Sequence, residues 1–170
     1  MQDQIDKYRA HSFREIETDS GVGSRVFVNK ELGRAVKFNQ DPAYDKFAEF
    51  ARSNPQPALP VIHVHTKPLG EFKSLSNDQY TVTELELLAV LSAEEQQLVE
   101  DWVKAEFASL RSEMQPAGFQ DDPYDLRLTF NSLRTEAARV GVHLDVLKGS
   151  NFMKRGTDGE LRVVFIDPFA

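Results

Sequence analysis

Residues 142–170, VHLDVLKGSNFMKRGTDGELRVVFIDPFA, constrain the fold more than any other stretch of the chain. Val142-His143-Leu144-Asp145 reads as a short apolar strand that runs into a polar loop. Lys148-Gly149-Ser150-Asn151-Phe152-Met153 reads as that loop returning into a second strand. Gly156-Thr157-Asp158-Gly159 supplies turn residues, and the β-branched run Leu161–Ile166 then stops at Asp167-Pro168. Glycine and aspartate between two strand-like runs predict a β-hairpin. Such a hairpin would bring Asn151, at its entrance, and Asp167, at its exit, to the same end of a small sheet. An amide oxygen beside a carboxylate suits a hard, oxygen-seeking ion such as Mg²⁺, which is commonly shared with phosphate oxygens.

Composition narrows the classes. A chain of 170 residues fits a single domain with a real core. A net charge of −7 argues against a general nucleic-acid or anionic-membrane binder, since both need clustered positive charge. No run reaches the length of a membrane-spanning helix, and MQDQIDKYRA lacks the apolar core of a signal peptide. The absence of cysteine excludes disulfides, thiolate zinc sites and cysteine nucleophiles, and is compatible with a cytoplasmic location. His11, His63, His65 and His143 are too scattered to predict a zinc cage.

Upstream, residues 1–19 read as a lead-in strand or short helix. Ser20–Val28 is a Gly-rich turn opening into a strand, where Gly21 and Gly23 would let backbone N–H groups approach phosphates. By itself this stretch reads more readily as a plain hairpin turn. Asn29–Gly33 is a second turn, and Arg34–Phe38 a strand carrying Lys37 between apolar neighbours. That lysine could clamp phosphates as a point charge or lie exposed on an edge strand. Asp41-Pro42 predicts a helix to about Ser53, capped by the acid, with Tyr44, Phe47, Ala48 and Ala51 as its apolar stripe. Asp45 and Glu49 fall off that stripe. Asn54–Pro60 is expected to be a stiff linker. In Val61–His65, alternation puts His63 and His65 on a solvent-facing side, and a further strand is expected over Tyr80–Leu85.

Ser92-Ala93-Glu94-Glu95 resembles a capping box opening a long helix. Val99, Val103, Phe107, Leu110 and Met114, with Trp102 beside them, are spaced as its core stripe, ending at Pro116-Ala117-Gly118. Asp121-Asp122-Pro123 is expected to start another helix, with Leu126, Phe130, Leu133, Ala137 and Val140 on one face and Gly141 as its cap. The whole reads as an α+β chain with a mostly antiparallel N-terminal sheet and a helical C-terminal part.

In this order the elements resemble the protein-kinase-like fold, over roughly residues 20–170. That family carries H-R-D-x-x-x-x-N, a β-hairpin and D-F-G; here His143-Leu144-Asp145, Asn151 and Asp167-Pro168-Phe169 stand in those places. The "GNFM"-like segment, the DG turn and the DPF ending look especially like small kinase-like proteins of bacteria and their phages. Gly21, Gly23 and Val28 match the G-x-G-x-x-G-x-V loop, with Val26 in place of the third glycine, and Ala35-Val36-Lys37 falls where V-A-I-K is expected.

The resemblance implies a single kinase-like domain over 1–170, with about 1–88 as its N-terminal lobe and 89–170 as a reduced C-terminal lobe. Its implied site binds ATP with Mg²⁺. Gly21, Gly23, Val28, Ala35, Lys37, Glu49, Leu85, Glu86 and Leu87 would hold the nucleotide; Val28 and Ala35 would wall the base, Glu49 would pair with Lys37, and Leu85–Leu87 would form the hinge. Asn151 and Asp167 would bind Mg²⁺. Asp145 would accept or orient the acceptor hydroxyl, and Lys148 would neutralise charge on the transferred phosphoryl group. Two departures matter. Asn151 lies one residue farther from Asp145 than the motif allows, so aligning on Asn151 puts Val146 in the place of the acid. The glycine of D-F-G is missing, and with the chain ending at Ala170 no substrate-holding activation segment is expected. The alternative is therefore a pseudokinase-like protein that works by binding a host or regulatory protein. A small-molecule kinase is a third reading without a recognisable acceptor pocket.

Overall fold

The structure is a computed structural model that describes residues 1–17, 24–66, 80–111, 121–157 and 160–170, the side chains of 111, 157, 160 and 161 excepted. Gly21 and Gly23, Met114, the stop at Pro116–Gly118, and Asp158-Gly159 lie outside the described residues.

The first hairpin follows from its turn chemistry. Asn29 Oδ1 accepts the Leu32 N–H at 3.0 Å, and Gly33 takes a left-handed φ of 62°, the conformation glycine adopts without penalty. On either side run β2 (Arg25–Asn29) and β3 (Arg34–Asn39). They belong to a five-stranded antiparallel sheet with β1 (Arg14–Ile16), β4 (Ile62–Thr66) and β5 (Thr81–Glu86), in the order β1-β2-β3-β5-β4. The lead-in segment contains both a helix, α1 (Gln2–Ala10), and strand β1. Since β3 has a neighbour on each side, Lys37 is not on an edge strand.

Residues opposite one another in a sheet share a face. Phe27 and Val36 pair and, with Phe38 and Val82, pack beneath Ile5 and Tyr8 of α1. The other face carries Lys37 and Thr83 and meets α2 (Pro42–Ser53). Asp41 caps α2 as its sequence predicts, accepting the Ala43 N–H at 2.8 Å, and Tyr44, Phe47, Ala48 and Ala51 are buried. Two expectations fail together here. The pairing of β4 with β5 shifts between Ile62↔Leu85 and Val64↔Glu84, so β4 holds one residue too many, His63. A bulge of this kind reverses which side chains face inward. His65 is therefore buried rather than solvent-facing, while Val64 is 40% exposed. Asp45, expected on the solvated side of α2, is buried as the partner of His65.

Met1–Pro55 and Pro60–Leu87 form this first unit; Gln56–Leu59 and Leu88–Ala170 form a second. The segment expected as a linker is thus partly structural. Ala58 O accepts from the Phe165 N–H at 3.0 Å, and the Arg155 guanidinium donates to Pro57 O and Leu59 O. Helix α3 (Ala93–Arg111) opens on a reciprocal capping box, with Ser92 N–H to Glu95 Oε2 at 2.6 Å and Glu95 N–H to Ser92 Oγ at 3.2 Å. Its buried side is Val99, Trp102, Val103 and Glu106, the i, i+3, i+4, i+7 pattern of one helix face. Leu110, expected in that stripe, is 45% exposed. Glu106 occupies the buried face because Arg127 reaches it, at 2.8 Å from Nη2.

Helix α4 (Arg127–Val140) starts later than Asp121-Pro123 suggested. Asp125 adopts φ 54° and interrupts the turn, but Asp122 still acts as the start charge, accepting the N–H groups of Leu126 and Arg127, each at 2.8 Å. Leu126, Phe130, Leu133 and Ala137 are buried, and Gly141 closes the helix at φ 69°. A three-stranded sheet, β6-β7-β8, completes the unit: β6 (Ala89–Val90), β7 (Phe152–Thr157) and β8 (Glu160–Phe165). The predicted hairpin is β7–β8, paired from Phe152↔Phe165 to Thr157↔Glu160. Residues 142–145 are not a regular strand; Leu144 makes a single bridge, to Phe169. Four helices and two antiparallel sheets, counted among the described residues, make this an α+β protein.

Candidate functional site

The end of the β7–β8 hairpin gathers four of the residues singled out by sequence. At its base, the Phe152 and Phe165 rings pack at a tilt with centroids 4.8 Å apart. The chain then leaves β8 and runs antiparallel to residues 143–145. Ala170 N–H donates to His143 O at 2.9 Å, and the His143 N–H returns the bond to Ala170 O at 2.8 Å. Asp167 sits between two anchored neighbours: the Ile166 N–H donates to Asn151 O at 2.9 Å, and Pro168 O accepts from the Asp145 N–H at 2.7 Å. Backbone bonds thus tie the flanks of Asp167 to Asn151 on one side and Asp145 on the other.

The loop between Asp145 and Asn151 resolves the extra residue. Val146 is fully buried, at 0% exposure, so the position that the motif alignment would give to an acid points into the core. Asp145 is half-buried and accepts from the Lys148 ammonium through Oδ2. That hydrogen bond, its charge and the nearby charge of Asp167 raise the Lys148 pKa, so the lysine stays cationic. Asn151 closes a 3₁₀ turn, Gly149–Asn151. Its N–H donates to Lys148 O, and its side-chain amide donates to Asp145 O. With the nitrogen so engaged, the amide oxygen remains the acceptor end.

Could this donor set hold a cation? Asn151 Oδ1 and the Asp167 carboxylate are both hard oxygen donors, the type Mg²⁺ takes, and Mg²⁺ usually keeps one or two protein carboxylates and fills its remaining positions with water and phosphate. Among the described residues no group of three or more His, Asp or Glu is placed to hold a metal by itself. A cation here would therefore lean on the oxygens of its ligand.

In the first unit, Val28, Ala35 and Leu85 form one row across the sheet, on the same face as Lys37. The Lys37 ammonium stands 3.7 Å from the centre of the Tyr44 ring, a cation–π contact. Glu49 is half-buried one turn beyond Asp45 on α2. At the end of β5, the Glu86 N–H donates to Val61 O at 3.0 Å and Glu86 Oε1 accepts the Val61 N–H at 2.8 Å. The Leu87 N–H donates to Gly33 O at 2.9 Å. Both backbone donors are thus used inside the unit.

A buried relay lies beside Lys37 that the sequence pattern does not reveal. His65 Nδ1 lies 2.9 Å from Thr83 Oγ1 and Nε2 lies 2.8 Å from Asp45 Oδ1. A hydroxyl, an imidazole and a carboxylate in a row resemble a hydrolase triad, but Thr83 is fully buried and the His65 side chain is 2% exposed. No substrate reaches such a hydroxyl, so the relay fastens α2 to β4 and β5. The bulge at His63 hid it, because bare alternation pointed His65 outward. Comparison of the sequence with models of known protein families finds no match, and no curated protein matches it either.

Proposed function

We propose that this chain is an ATP- and Mg²⁺-dependent phosphotransferase with a protein-kinase-like fold, of the kind that transfers to a hydroxyl acceptor. The observation that carries the reading is the convergence of Asp145, Lys148, Asn151 and Asp167 at one end of the β7–β8 hairpin, with Val146 turned into the core. The order of elements supports it as well: an antiparallel sheet bearing Lys37, a helix behind it, two further helices, then the polar loop and hairpin.

In this reading Lys37 holds phosphates, and Val28, Ala35 and Leu85–Leu87 receive the base. Asn151 and Asp167 hold Mg²⁺, which would neutralise charge on the transferred phosphoryl group. Lys148 occupies one oxygen of Asp145; a carboxylate has a second, able to accept and orient the acceptor hydroxyl. Lys148, kept protonated, adds positive charge next to the reacting group.

A second reading, a pseudokinase-like protein that binds a host or regulatory protein, is favoured by the engaged Glu86 and Leu87 N–H groups. Incubation with γ-labelled ATP and Mg²⁺ separates the two. Phosphotransfer or ATP turnover that Asp145→Asn abolishes, with nucleotide binding retained, supports the enzyme. Absence of turnover by the wild type, with or without nucleotide binding, supports the binding protein.

A further inference from the structure

The 3₁₀ turn Gly149–Asn151 begins at Lys148, which occupies its N-cap position but whose side chain makes no cap bond. N-cap residues normally accept the first N–H groups of the turn with a side-chain oxygen, and lysine has no acceptor. The acceptor arrives from elsewhere. Glu100, on α3, takes the Gly149 N–H on Oε1 at 2.9 Å. Its other oxygen, Oε2, lies 3.6 Å from Lys104 Nζ on the next turn of α3. Contact between the turn and the helix is close. A Cβ at Gly149 would stand 2.8 Å from Glu100 Oε1 and 3.1 Å from Gln96 Cβ, so a side chain at this position would push the turn off the helix.

We infer that Glu100 is a positioning residue for the loop that carries Lys148 and Asn151. It supplies the acceptor that the N-cap lysine lacks, at the turn whose Lys148 side chain reaches Asp145. It also holds the turn in the geometry in which the Asn151 amide nitrogen meets Asp145 O and the amide oxygen points away from it. The link from Glu100 to a bound cation rests on the phosphotransfer reading; its control of the turn does not.

Two measurements on one set of variants test this: Glu100→Ala, Glu100→Gln, Glu100→Asp, and Glu94→Ala as an exposed control on the same helix. The first is calorimetric ATP binding against Mg²⁺ concentration. Losing a charged hydrogen bond that orders the loop should raise the Mg²⁺ needed for half-maximal binding about tenfold in Glu100→Ala. Glu100→Gln, which keeps an acceptor, stays near wild type, and ATP binding in EDTA is unchanged in all. Glu100→Asp, one methylene shorter, falls between them and serves if the alanine variant does not fold. Given a wild type whose ATP binding depends on Mg²⁺, an unchanged Mg²⁺ dependence in both Glu100→Ala and Glu100→Asp overturns the inference.

The second measurement is the side-chain amide NMR signal of Asn151. It should shift in Glu100→Ala, or in Glu100→Asp in its place, and hold in Glu100→Gln, with the β7–β8 amides undisturbed. If the wild type binds ATP without regard to Mg²⁺, the phosphotransfer reading fails while a shifted Asn151 signal still upholds the role of Glu100. An unshifted Asn151 signal overturns that role whatever ATP does.

Discussion

Replacing His65 with alanine should destabilise the first unit far more than replacing its neighbour Val64, the reverse of what apolar–polar alternation implies. In His65→Ala the Thr83 hydroxyl, at 0% exposure, loses its imidazole partner. An unsatisfied buried group of that kind costs about 1–3 kcal/mol. The Asp45 carboxylate, 13% exposed, loses the other hydrogen bond, and a bond to a charged group contributes about 1.5–3 kcal/mol. A void where the ring stood adds to both, so a loss of roughly 4 kcal/mol is expected, at the high end for a single substitution. Val64 is 40% exposed on an edge strand, and Val64→Ala should cost under about 1 kcal/mol. Amide exchange across Thr81–Glu86 gives the opening free energy of this unit directly, whereas the fluorescence of Trp102 reports on the second unit. If His65→Ala costs less than about 0.5 kcal/mol while Val64→Ala costs about 2 kcal/mol, His65 faces solvent and the bulge is wrong.

Further expectations concern the second unit. Val146→Asp places a carboxylate in the core and should destabilise by about 3 kcal/mol or more in urea unfolding, creating no new activity; a stable, more active variant would mean that Val146 stands at the base position. The hydrogen bond from Lys154, followed by the Ser92 N–H, holds the Glu95 pKa below the usual carboxylate range. A depressed folded-state pKa gives stability that is present above the ordinary carboxylate pKa and lost as pH falls through the folded value. Glu95→Gln should therefore cost about 1 kcal/mol at pH 7 and nothing in strong acid, read from unfolding midpoints across that window. Gly149→Ala meets Glu100 and Gln96 and should cost about 1–3 kcal/mol as an overpacked contact; an unchanged melting temperature would mean the turn does not lie on α3.

Where a feature depends on residues close in the chain, it was legible. The Asp41 cap, the Ser92–Glu95 box, the Gly141 stop and the β7–β8 hairpin each need only a few neighbouring residues of the right chemistry. The convergence of Asn151 and Asp167 followed from the hairpin alone. What could not be read depends on distant partners or on a slip of one residue. The single extra residue in β4 turned His65 inward and exposed Val64. Glu106 is buried because Arg127, 21 positions away, meets it, and Glu100 caps a turn 49 positions away. The segment before Asp145 looked like a strand on its apolar residues, yet it makes a single bridge, from Leu144 to Phe169. Val146 was ambiguous because a motif alignment counts residues, while burial selects which of two neighbours faces the core.

Calorimetry of ATP binding, with and without Mg²⁺, on the wild type and on Lys37→Ala and Asp167→Ala, tests the phosphotransfer reading most directly. The wild type should bind ATP in a Mg²⁺-dependent manner, and both variants, still folded by circular dichroism, should lose that binding. An absence of heat and of thermal stabilisation at millimolar ATP would contradict it. So would binding that ignores Mg²⁺ and survives Asp167→Ala.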